Sequence, residues 1–335
     1  MVIVGKSLAA GGGSGAGYIV ETSAGATVTA TLGTSVVTAV ADSDGKATLK
    51  LNKAGTWSIV ATLNGKESPI KTYTAPPIIE LPLRPVANTS ATAGVAYTNG
   101  LAGVTADLMA LYAEAISNNS AISRTTSVVY LDFGSDSRKL TIGDAMSFSI
   151  NNTTVQARLI SFNTDTLADA AAYGSETATG KCGMTFDTVT TVSSAPMNNS
   201  NTSAGGWNAS LMRTSTMATL LGTIPPAWKA ALKARSLTSK TNTNANQQTT
   251  DTLAIHNQSD VGSSGYNWYA AGNSKIKNNA SGSAVNWWLR DAVFDNTTNF
   301  YNVNTSGSIN NNNASNSNGV VPGFARHRQD LVGKR

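Results

Sequence analysis

The first 74 residues are a series of short runs in which apolar and polar residues alternate. Such runs occupy residues 28–32 and 55–61. Asp42-Ser43-Asp44-Gly45-Lys46 and Asn64-Gly65 lie between runs and are typical of hairpin turns. The pattern predicts a small β-sandwich with Trp57 in its core. Asp42 and Asp44 lack the downstream acidic ligands of a calcium loop, so a plain turn is the better interpretation.

A different spacing, close to 3.6 residues, appears after a proline-rich stretch. Residues 105–117 predict a helix with Thr105 as its N-cap. Leu108, Leu111, Tyr112, Ala115 and Ile116 form its apolar face. This face can pack on the following domain or on copies of itself. Packing in a core is the simpler interpretation.

The rest of the chain contains both the alternating pattern of strands and the 3.6-residue spacing of helices. Residues 127–131, 146–150 and 154–160 read as strands. A helix is predicted from a cap at Asn208 to Gly222, and another opens with Pro225-Pro226. Two helices within a loop-rich β framework predict an α+β fold for this part of the chain.

These patterns divide the chain into four segments. We expect an all-β module at residues 1–74, a proline-rich linker with its helix at 75–127, a ligand-binding domain at 128–325 and a basic tail at 326–335. No apolar segment reaches the length of a signal peptide or a membrane span. We therefore expect no membrane insertion, and a location in a virion or in the host cytoplasm before release.

Asparagine is concentrated near the C-terminus, where it fills ten of the 23 positions in residues 296–318. Core-like sequence flanks this run on both sides, at Trp287-Trp288-Leu289-Arg290 and at Val320-Val321, so a disordered tail is an unsatisfactory interpretation. Asn can donate and accept hydrogen bonds. A fixed frame that carries many Asn residues indicates a binding surface.

The candidate ligand-binding residues are these Asn residues and the aromatic residues in Asn- and Gly-rich loops, which are typical binding anchors. About half of the aromatic residues are expected to be core. In a strand, Asn299, Asn302 and Asn304 would share one face, and only one of Trp287 and Trp288 would point inwards. The candidates are Tyr266, Asn267, Trp268, Asn286, Asn296, Asn299, Tyr301, Asn302, Asn304, Asn310, Asn311, Asn312, Asn313, Asn316 and Asn318.

Composition argues against several other functions. Only 13% of residues are charged and the net charge is +5, with no basic stripe interleaved with aromatics, so nucleic acid is not an expected partner. The single cysteine, Cys182, excludes an intrachain disulfide framework and any multi-cysteine metal site. His256 has no nucleophile nearby. Asp132, Asp136, Asp144 and Asp165 are read as turn and cap residues. We predict no enzyme activity, no cofactor and no metal.

Several motifs occur in an order that resembles a known family. These are Ser161-Phe162-Asn163-Thr164-Asp165-Thr166-Leu167, Gly205-Gly206-Trp207-Asn208, Thr249-Thr250-Asp251-Thr252-Leu253 and Trp287-Trp288-Leu289-Arg290. The set resembles the C-type-lectin-like domain of variable proteins of diversity-generating retroelements. The N-terminal module resembles bacterial immunoglobulin-like modules. Arg213 and Arg290 are expected to make structural hydrogen bonds or ion pairs beneath the binding face.

This resemblance implies a receptor-binding adhesin of a phage or prophage tail. Its partners would be a host bacterial surface receptor, either protein or glycan, and other virion tail proteins, with a trimer by analogy. In such systems adenines of the variable region are rewritten, and Asn codons are the most mutable. The alternative is a passive structural virion or cell-surface protein with Asn-rich loops. A hydrolase of surface polysaccharide is a third reading and would need two facing carboxylates.

Overall fold

The computed structural model describes residues 2–7, 17–51, 55–75, 85–171 and 177–326. The chain forms two compact units, Met1–Leu83 and Arg84–Arg335. The proline-rich stretch after residue 75 and the predicted basic tail, apart from Arg326, lie outside the described residues.

The described part of the first unit consists of strands. The strands are β1 Val2–Ser7, β2 Gly17–Glu21, β3 Thr27–Leu32, β4 Ser35–Val40, β5 Lys46–Lys50, β6 Gly55–Leu63, β7 Lys66–Glu67 and β8 Lys71–Ala75. Strands β1, β2 and β5 form one antiparallel sheet, and a second sheet has the order β4-β3-β6-β7 with β8 paired to β6. Buried positions alternate along β3, β5 and β6, as expected for strands with one face in a core.

The core of the first unit forms around Trp57, which is fully buried, as predicted. The predicted turn after Asp42 is also confirmed, but it joins β4 to β5, which lie in different sheets, so the prediction that it closes a hairpin is wrong. The Asp42 carboxylate accepts hydrogen bonds from the backbone N–H groups of Asp44 and Lys46, at 3.0 and 2.9 Å. Gly45 has φ +75°, and a Cβ there would lie 2.3 Å from the Thr22 carbonyl oxygen. The acidic residues therefore shape a turn.

The second unit contains most of the chain's secondary structure. Its helical segments are α1 Ala106–Ser117, α2 Gly206–Ala209, a π-helical turn Met212–Met217, α3 Ala218–Gly222, α4 Pro226–Ala230 and α5 Asn267–Ala270. Its strands are β9 Val86–Asn88, β10 Thr98–Asn99, β11 Val128–Asp132, β12 Arg138–Thr141, β13 Ala145–Ile150, β14 Thr153–Phe162, β15 Thr166–Leu167, β16 Met184–Thr188, β17 Ser193–Ala195, β18 Leu232–Lys233, β19 Arg235–Lys240, β20 Asn246–Asp251, β21 Leu253–Ala254, β22 Lys277–Asn278, β23 Ala284–Val285, β24 Trp287–Ala292, β25 Asn299–Val303, β26 Ile309–Asn313, β27 Asn318–Val320 and β28 Gly323–Arg326.

These strands form several small sheets around a shared core. The main sheet has the order β13-β14-β16-β28-β18, with β21 also paired to β28. A second sheet, β17-β27-β24-β25-β26, contains the Asn-rich segment. Smaller sheets are β10-β12-β11-β9, β15-β19-β20 and the hairpin β22-β23. A stack of Phe148, Phe324 and Phe186 lies in the core, with ring centroids 4.6 and 5.6 Å apart.

Helix α1 packs in this core. Its N-cap is Thr105, as predicted, and the Thr105 hydroxyl accepts a hydrogen bond from the backbone N–H of Leu108 at 3.3 Å. Met109, Tyr112 and Ile116 are completely buried. The helix assigned above to residues 75–127 therefore shares the hydrophobic core of the second unit, in agreement with the simpler interpretation of its apolar face.

The prediction of an α+β, C-type-lectin-like domain is wrong. About 40% of the residues are in strands and 15% in helices, which describes a β-rich fold. The expected helix from Asn208 to Gly222 is interrupted, because Ser210 is extended at φ −66° and ψ 143° and ends α2. The segment after it continues as a π-helical turn. The chain is helical from Leu211 to Gly222, so the predicted helix is present in two pieces that are separated at Ser210.

Candidate ligand-binding surface

Strand β24 is the buried centre of the sheet that carries the Asn-rich segment. Both Trp287 and Trp288 are fully buried, so the expectation that only one points inwards is wrong. They contact different hydrophobic clusters. The indole N–H of Trp287 donates to the Lys275 carbonyl oxygen at 2.9 Å, and that of Trp288 donates to the Ala195 carbonyl oxygen at 2.8 Å. The sheet is therefore covered on both sides at β24.

Side chains are more exposed in the hairpin formed by β25 and β26, because β26 is the edge strand of the sheet. Directly opposite residues in an antiparallel pair project to the same side of the sheet. The register pairs Asn299 with Asn313, Tyr301 with Asn311, and Val303 with Ile309. We call the surface formed by Asn299, Tyr301, Ile309, Asn311 and Asn313 the amide face.

The amide face combines polar side chains with one aliphatic side chain, Ile309, at the start of β26. Asn311 and Asn313 are exposed, Asn299 and Tyr301 are half-buried, and Ile309 is 40% exposed. The Asn299 amide donates to Asn311 Oδ1 at 2.7 Å. Amide groups and a tyrosine on a hydrogen-bonded hairpin supply adaptable hydrogen bonds beside a rigid contact area.

On the opposite side of the hairpin, the residues of β25 face the core, whereas Asn310 of β26 is exposed. Phe300 is fully buried and Asn302 is 1% exposed. The expectation that Asn299, Asn302 and Asn304 share one face is wrong, because residues 299 and 302 are an odd number of positions apart and therefore project to opposite sides. Asn304 lies beyond the end of β25.

Two of the candidate Asn residues form turns. Asn304 Oδ1 accepts hydrogen bonds from the backbone N–H groups of Ser306 and Ser308, both at 3.0 Å. Asn296 Oδ1 accepts one from the backbone N–H of Thr298 at 2.8 Å. These side chains hold the two loops that flank β25. Their primary role is local structure, and their oxygen atoms are already engaged.

A second group of Asn side chains bond to one another. Asn312 Oδ1 accepts from the Asn316 amide at 2.6 Å, and the Asn312 amide donates to Asn318 Oδ1 at 3.3 Å. Asn310 Oδ1 accepts from the backbone N–H of Asn311 at 2.8 Å. Asn318 is only 6% exposed, whereas Asn310 and Asn316 are exposed. The network joins the edge strand to the loop that leads into β27.

The aromatic candidates lie near α5. Tyr266 is 2% exposed, and its hydroxyl donates to Asp165 Oδ1 at 2.7 Å. The buried Asn267 amide donates to the Arg124 carbonyl oxygen at 3.0 Å. Trp268 is half-buried and packs against the same hydrophobic cluster as Tyr301. Tyr266 and Asn267 are therefore buried residues that hold the start of α5 in place, and they are not part of an exposed surface.

Trp268 also carries a cation on its ring. The guanidinium carbon of Arg158 lies 4.1 Å from the centroid of the Trp268 ring, which is cation–π geometry. The ring is close to backbone as well, since a Cβ at Gly143 would lie 2.8 Å from it. Its orientation is therefore fixed on more than one side.

A buried ionic cluster lies behind these surfaces, centred on Asp187. Its carboxylate accepts hydrogen bonds from Lys277 Nζ at 2.8 Å, from Arg158 Nη2 at 3.3 Å and from the Tyr269 hydroxyl. Burial raises the pKa of Asp187, but Lys277, His256 and Arg158 lower it far more, so the carboxyl stays ionised. Burial lowers the pKa of Lys277 to about 8. Both groups are inaccessible to solvent, at 0 and 1% side-chain exposure, so the cluster is structural.

Further buried ion pairs fix the neighbouring loops. Arg290 contacts Asp260 at 2.7 Å and Arg213 contacts Asp251 at 2.7 Å, which confirms the structural pairing expected for both arginines. Asp165 was expected to be a turn residue, and this is wrong. Its carboxylate is buried and lies 3.1 Å from Arg235. Nothing in the local sequence around Asp165 indicates that pairing, because its partner is 70 residues away.

His256 and Cys182, whose side chains could serve as a general base and a nucleophile, are both buried. His256 is 1% exposed, with Nε2 3.7 Å from Asp187 and Nδ1 3.9 Å from Asp260. Cys182 is buried, and burial raises the pKa of its thiol. Among the described residues, no three or more His, Cys, Asp or Glu side chains are grouped to hold a metal ion. The helices of the described part of the chain are too short or too polar to cross a membrane.

Comparison with known proteins identifies one family. Residues 180–325 match the model of a family described as a domain of unknown function, DUF6273. The match covers less than half of the chain, and it includes the whole sheet that carries the amide face. No curated protein and no solved structure matches the chain.

Proposed function

We propose that this protein is a receptor-binding adhesin of a phage or prophage tail. In this proposal the amide face contacts a ligand on the surface of a host bacterium. Other tail proteins would anchor the chain, and a trimer would add avidity to weak single contacts. The mechanism is recognition without a chemical step.

The observation that carries the proposal is the exposure of the edge strand β26. Asn310, Asn311 and Asn313 are exposed on it, whereas Phe300, Asn302 and Val303 of the neighbouring strand β25 are buried. Exposed side chains of the edge strand can be exchanged with little effect on the core, because surface substitutions usually change stability by less than about 0.5 kcal/mol. A surface of this kind can change its ligand while the fold stays constant.

The direct test is binding of the labelled, full-length protein to intact bacterial cells. We expect the double variant Asn311→Ala/Asn313→Ala to lose most binding while its melting temperature is unchanged. Gln156→Ala is the matched control, because Gln156 is an exposed amide on β14 in another sheet. Equal binding by the wild type and the double variant, or no binding to any strain tested, contradicts the proposal.

Diversification is a second part of the same proposal. If the gene is a target of adenine-directed mutagenesis, a near-copy close to it should differ at adenine positions, above all in codons of the amide face. Comparison of the two nucleotide sequences tests this. Differences spread over all four bases contradict it.

The alternative function is that of a passive structural protein of a virion or cell surface. The hydrogen bonds of Asn296, Asn304 and Asn312 favour it, because their side chains stabilise loops. It predicts that no substitution on the amide face affects cell binding. The experiment above therefore separates the two functions.

A further inference from the structure

A cleft separate from the amide face lies where β17, the start of β27 and the β22–β23 hairpin meet. Its volume is about 620 Å³, within the range of small-molecule sites. The polar residues that line it include Thr191, Ser194, Asn286, Thr305 and Ser317. Ala280, Ala284 and Val285 contribute apolar surface from the hairpin.

Several polar side chains of this cleft have no hydrogen-bond partner in the described chain, whereas the side-chain oxygens of Asn279 and Asn318 accept hydrogen bonds. Thr191 is 8% exposed, and its hydroxyl makes no hydrogen bond to a described residue. The same is true, within the described chain, of the side chains of Ser194, Asn286, Thr305 and Ser317. Ser193 Oγ and Asn318 Nδ2, which also belong to residues of the cleft lining, are buried and have no hydrogen-bond partner in the described chain. Such atoms are unusual in a native protein, because most buried polar groups are satisfied.

This arrangement differs from that of the Asn-rich hairpin. There, the side-chain oxygens of Asn304 and Asn312 accept hydrogen bonds from a backbone N–H group and from another Asn side chain. In the cleft, the side chains of Thr191, Ser194 and Asn286 have no such bonds within the described chain. These three side chains are therefore available to a ligand.

The floor of the cleft is formed by closely packed backbone. Gly319 is hydrogen-bonded through its N–H to the Asn286 carbonyl oxygen at 2.7 Å. A Cβ at Gly319 would lie 2.4 Å from Thr191 Cγ2 and 3.2 Å from the Asn286 carbonyl oxygen. Thr191 is also held by its backbone N–H, which donates to the Asn278 carbonyl oxygen at 3.0 Å. The polar groups are thus attached to fixed backbone.

The cleft also contains no charged side chain among its described lining residues. A charged ligand would lose hydration without gaining an ionic partner, which is costly. Hydroxyl and amide groups can both donate and accept hydrogen bonds, which suits a ligand with many hydroxyl groups. We propose that this cleft binds a neutral saccharide unit through Thr191, Ser194 and Asn286. The inference rests on the cleft alone and goes beyond the function proposed for the amide face.

The test uses the full-length protein and a panel of neutral oligosaccharides built from hexoses and N-acetylhexosamines, with sulfated and sialylated oligosaccharides for comparison. Binding is followed by saturation-transfer NMR and calorimetry. Thr191→Val removes the hydroxyl and keeps the side-chain shape. We expect it to weaken neutral saccharide binding about tenfold, the equivalent of one hydrogen bond of ~1.4 kcal/mol. Its stability should be unchanged, because the hydroxyl has no partner to lose.

Two further variants separate a binding role from a structural one. Ala284→Trp places a large side chain at an exposed position of β23 in the cleft wall and should abolish saccharide binding. Asn313→Ala, on the amide face, should leave it unchanged. The inference is overturned if no neutral saccharide binds at the highest soluble concentration, if acidic saccharides bind better, or if Ala284→Trp and Thr191→Val bind as the wild type does. Cell binding by the amide-face variants tests the proposed function, and saccharide binding tests the cleft. If those variants lose cell binding and keep saccharide binding, the result bears on the proposed function and leaves the saccharide inference standing.

Discussion

Replacement of Lys277 by methionine tests whether the buried ionic cluster holds the cleft wall in place. Lys277 begins β22, and its Nζ donates to Asp187 Oδ2 at 2.8 Å and to the Thr188 carbonyl oxygen at 2.5 Å. Its side chain is 1% exposed. Methionine keeps most of the apolar stem and removes the cation. Asp187 would then remain buried with less charge compensation.

The expected magnitude follows from the partners that remain. Removal of one member of a buried ion pair typically costs about 3–5 kcal/mol, because the other charge loses its compensation. Asp187 still has Arg158 at 3.3 Å and the Tyr269 hydroxyl, so we expect the lower end, about 3 kcal/mol. For a unit of this size, each kcal/mol lowers the melting temperature by about 2–4 °C. The variant should therefore melt about 6–12 °C below the wild type.

Thermal unfolding at neutral pH, followed by calorimetry and circular dichroism, measures this difference. Lys275→Met is the matched control, because Lys275 is a half-buried lysine two positions earlier. The double variant Asp187→Asn/Lys277→Met should recover part of the lost stability, since it removes both charges. A decrease of less than about 2 °C in Lys277→Met, or the same decrease in Lys275→Met, would refute the argument.

Three other predictions concern the sheet and the loops around it. Gly319→Ala should destabilise the protein by about 1–3 kcal/mol in urea titration, because the new methyl group overlaps Thr191; an unchanged midpoint contradicts this. Asn304→Ala should cost about 1 kcal/mol through loss of its turn hydrogen bonds, and Asn310→Ala less than about 0.5; equal costs contradict the distinction. Burial raises the pKa of the Asp165 carboxyl, but the ion pair with Arg235 and the hydrogen bonds to the carboxylate lower it more, so the net pKa lies below 3.8. The stabilisation by the ionised carboxylate is therefore complete above that pH and is lost on acidification. Asp165→Asn should flatten the decline of melting temperature below about pH 4, and an unaltered decline contradicts it.

Local patterns in the sequence predicted several elements well. The turn at Asp42, the buried Trp57 and the Thr105 cap of α1 depend on residues that are close in sequence. The predicted strands 146–150 and 154–160 correspond to β13 and β14 within two residues at each end. Turn chemistry, capping and alternation are local effects, and sequence reading succeeds where they dominate.

The errors arose where distant contacts decide the structure. Helical periodicity after Asn208 did not reveal that Gly205 and Gly206 take positive φ values of 75° and 57°, or that Ser210 is extended. The buried pairing of Lys277 with Asp187 joins residues 90 positions apart, so no short motif signals it. The cleft could not be found from sequence either, because hydroxyl and amide residues are common in loops.

The odd and even positions of the β25–β26 hairpin also define a strategy for engineering. A combinatorial library restricted to Asn299, Asn311 and Asn313 would sample new specificities with few misfolded members, because these half-buried or exposed polar positions lie outside the hydrophobic clusters. The same diversity placed at Phe300 or Asn302 would produce mainly clones that fail to fold. Any process that searches this hairpin, natural or in the laboratory, therefore gains most when it varies the edge strand and leaves the buried positions of β25 unchanged.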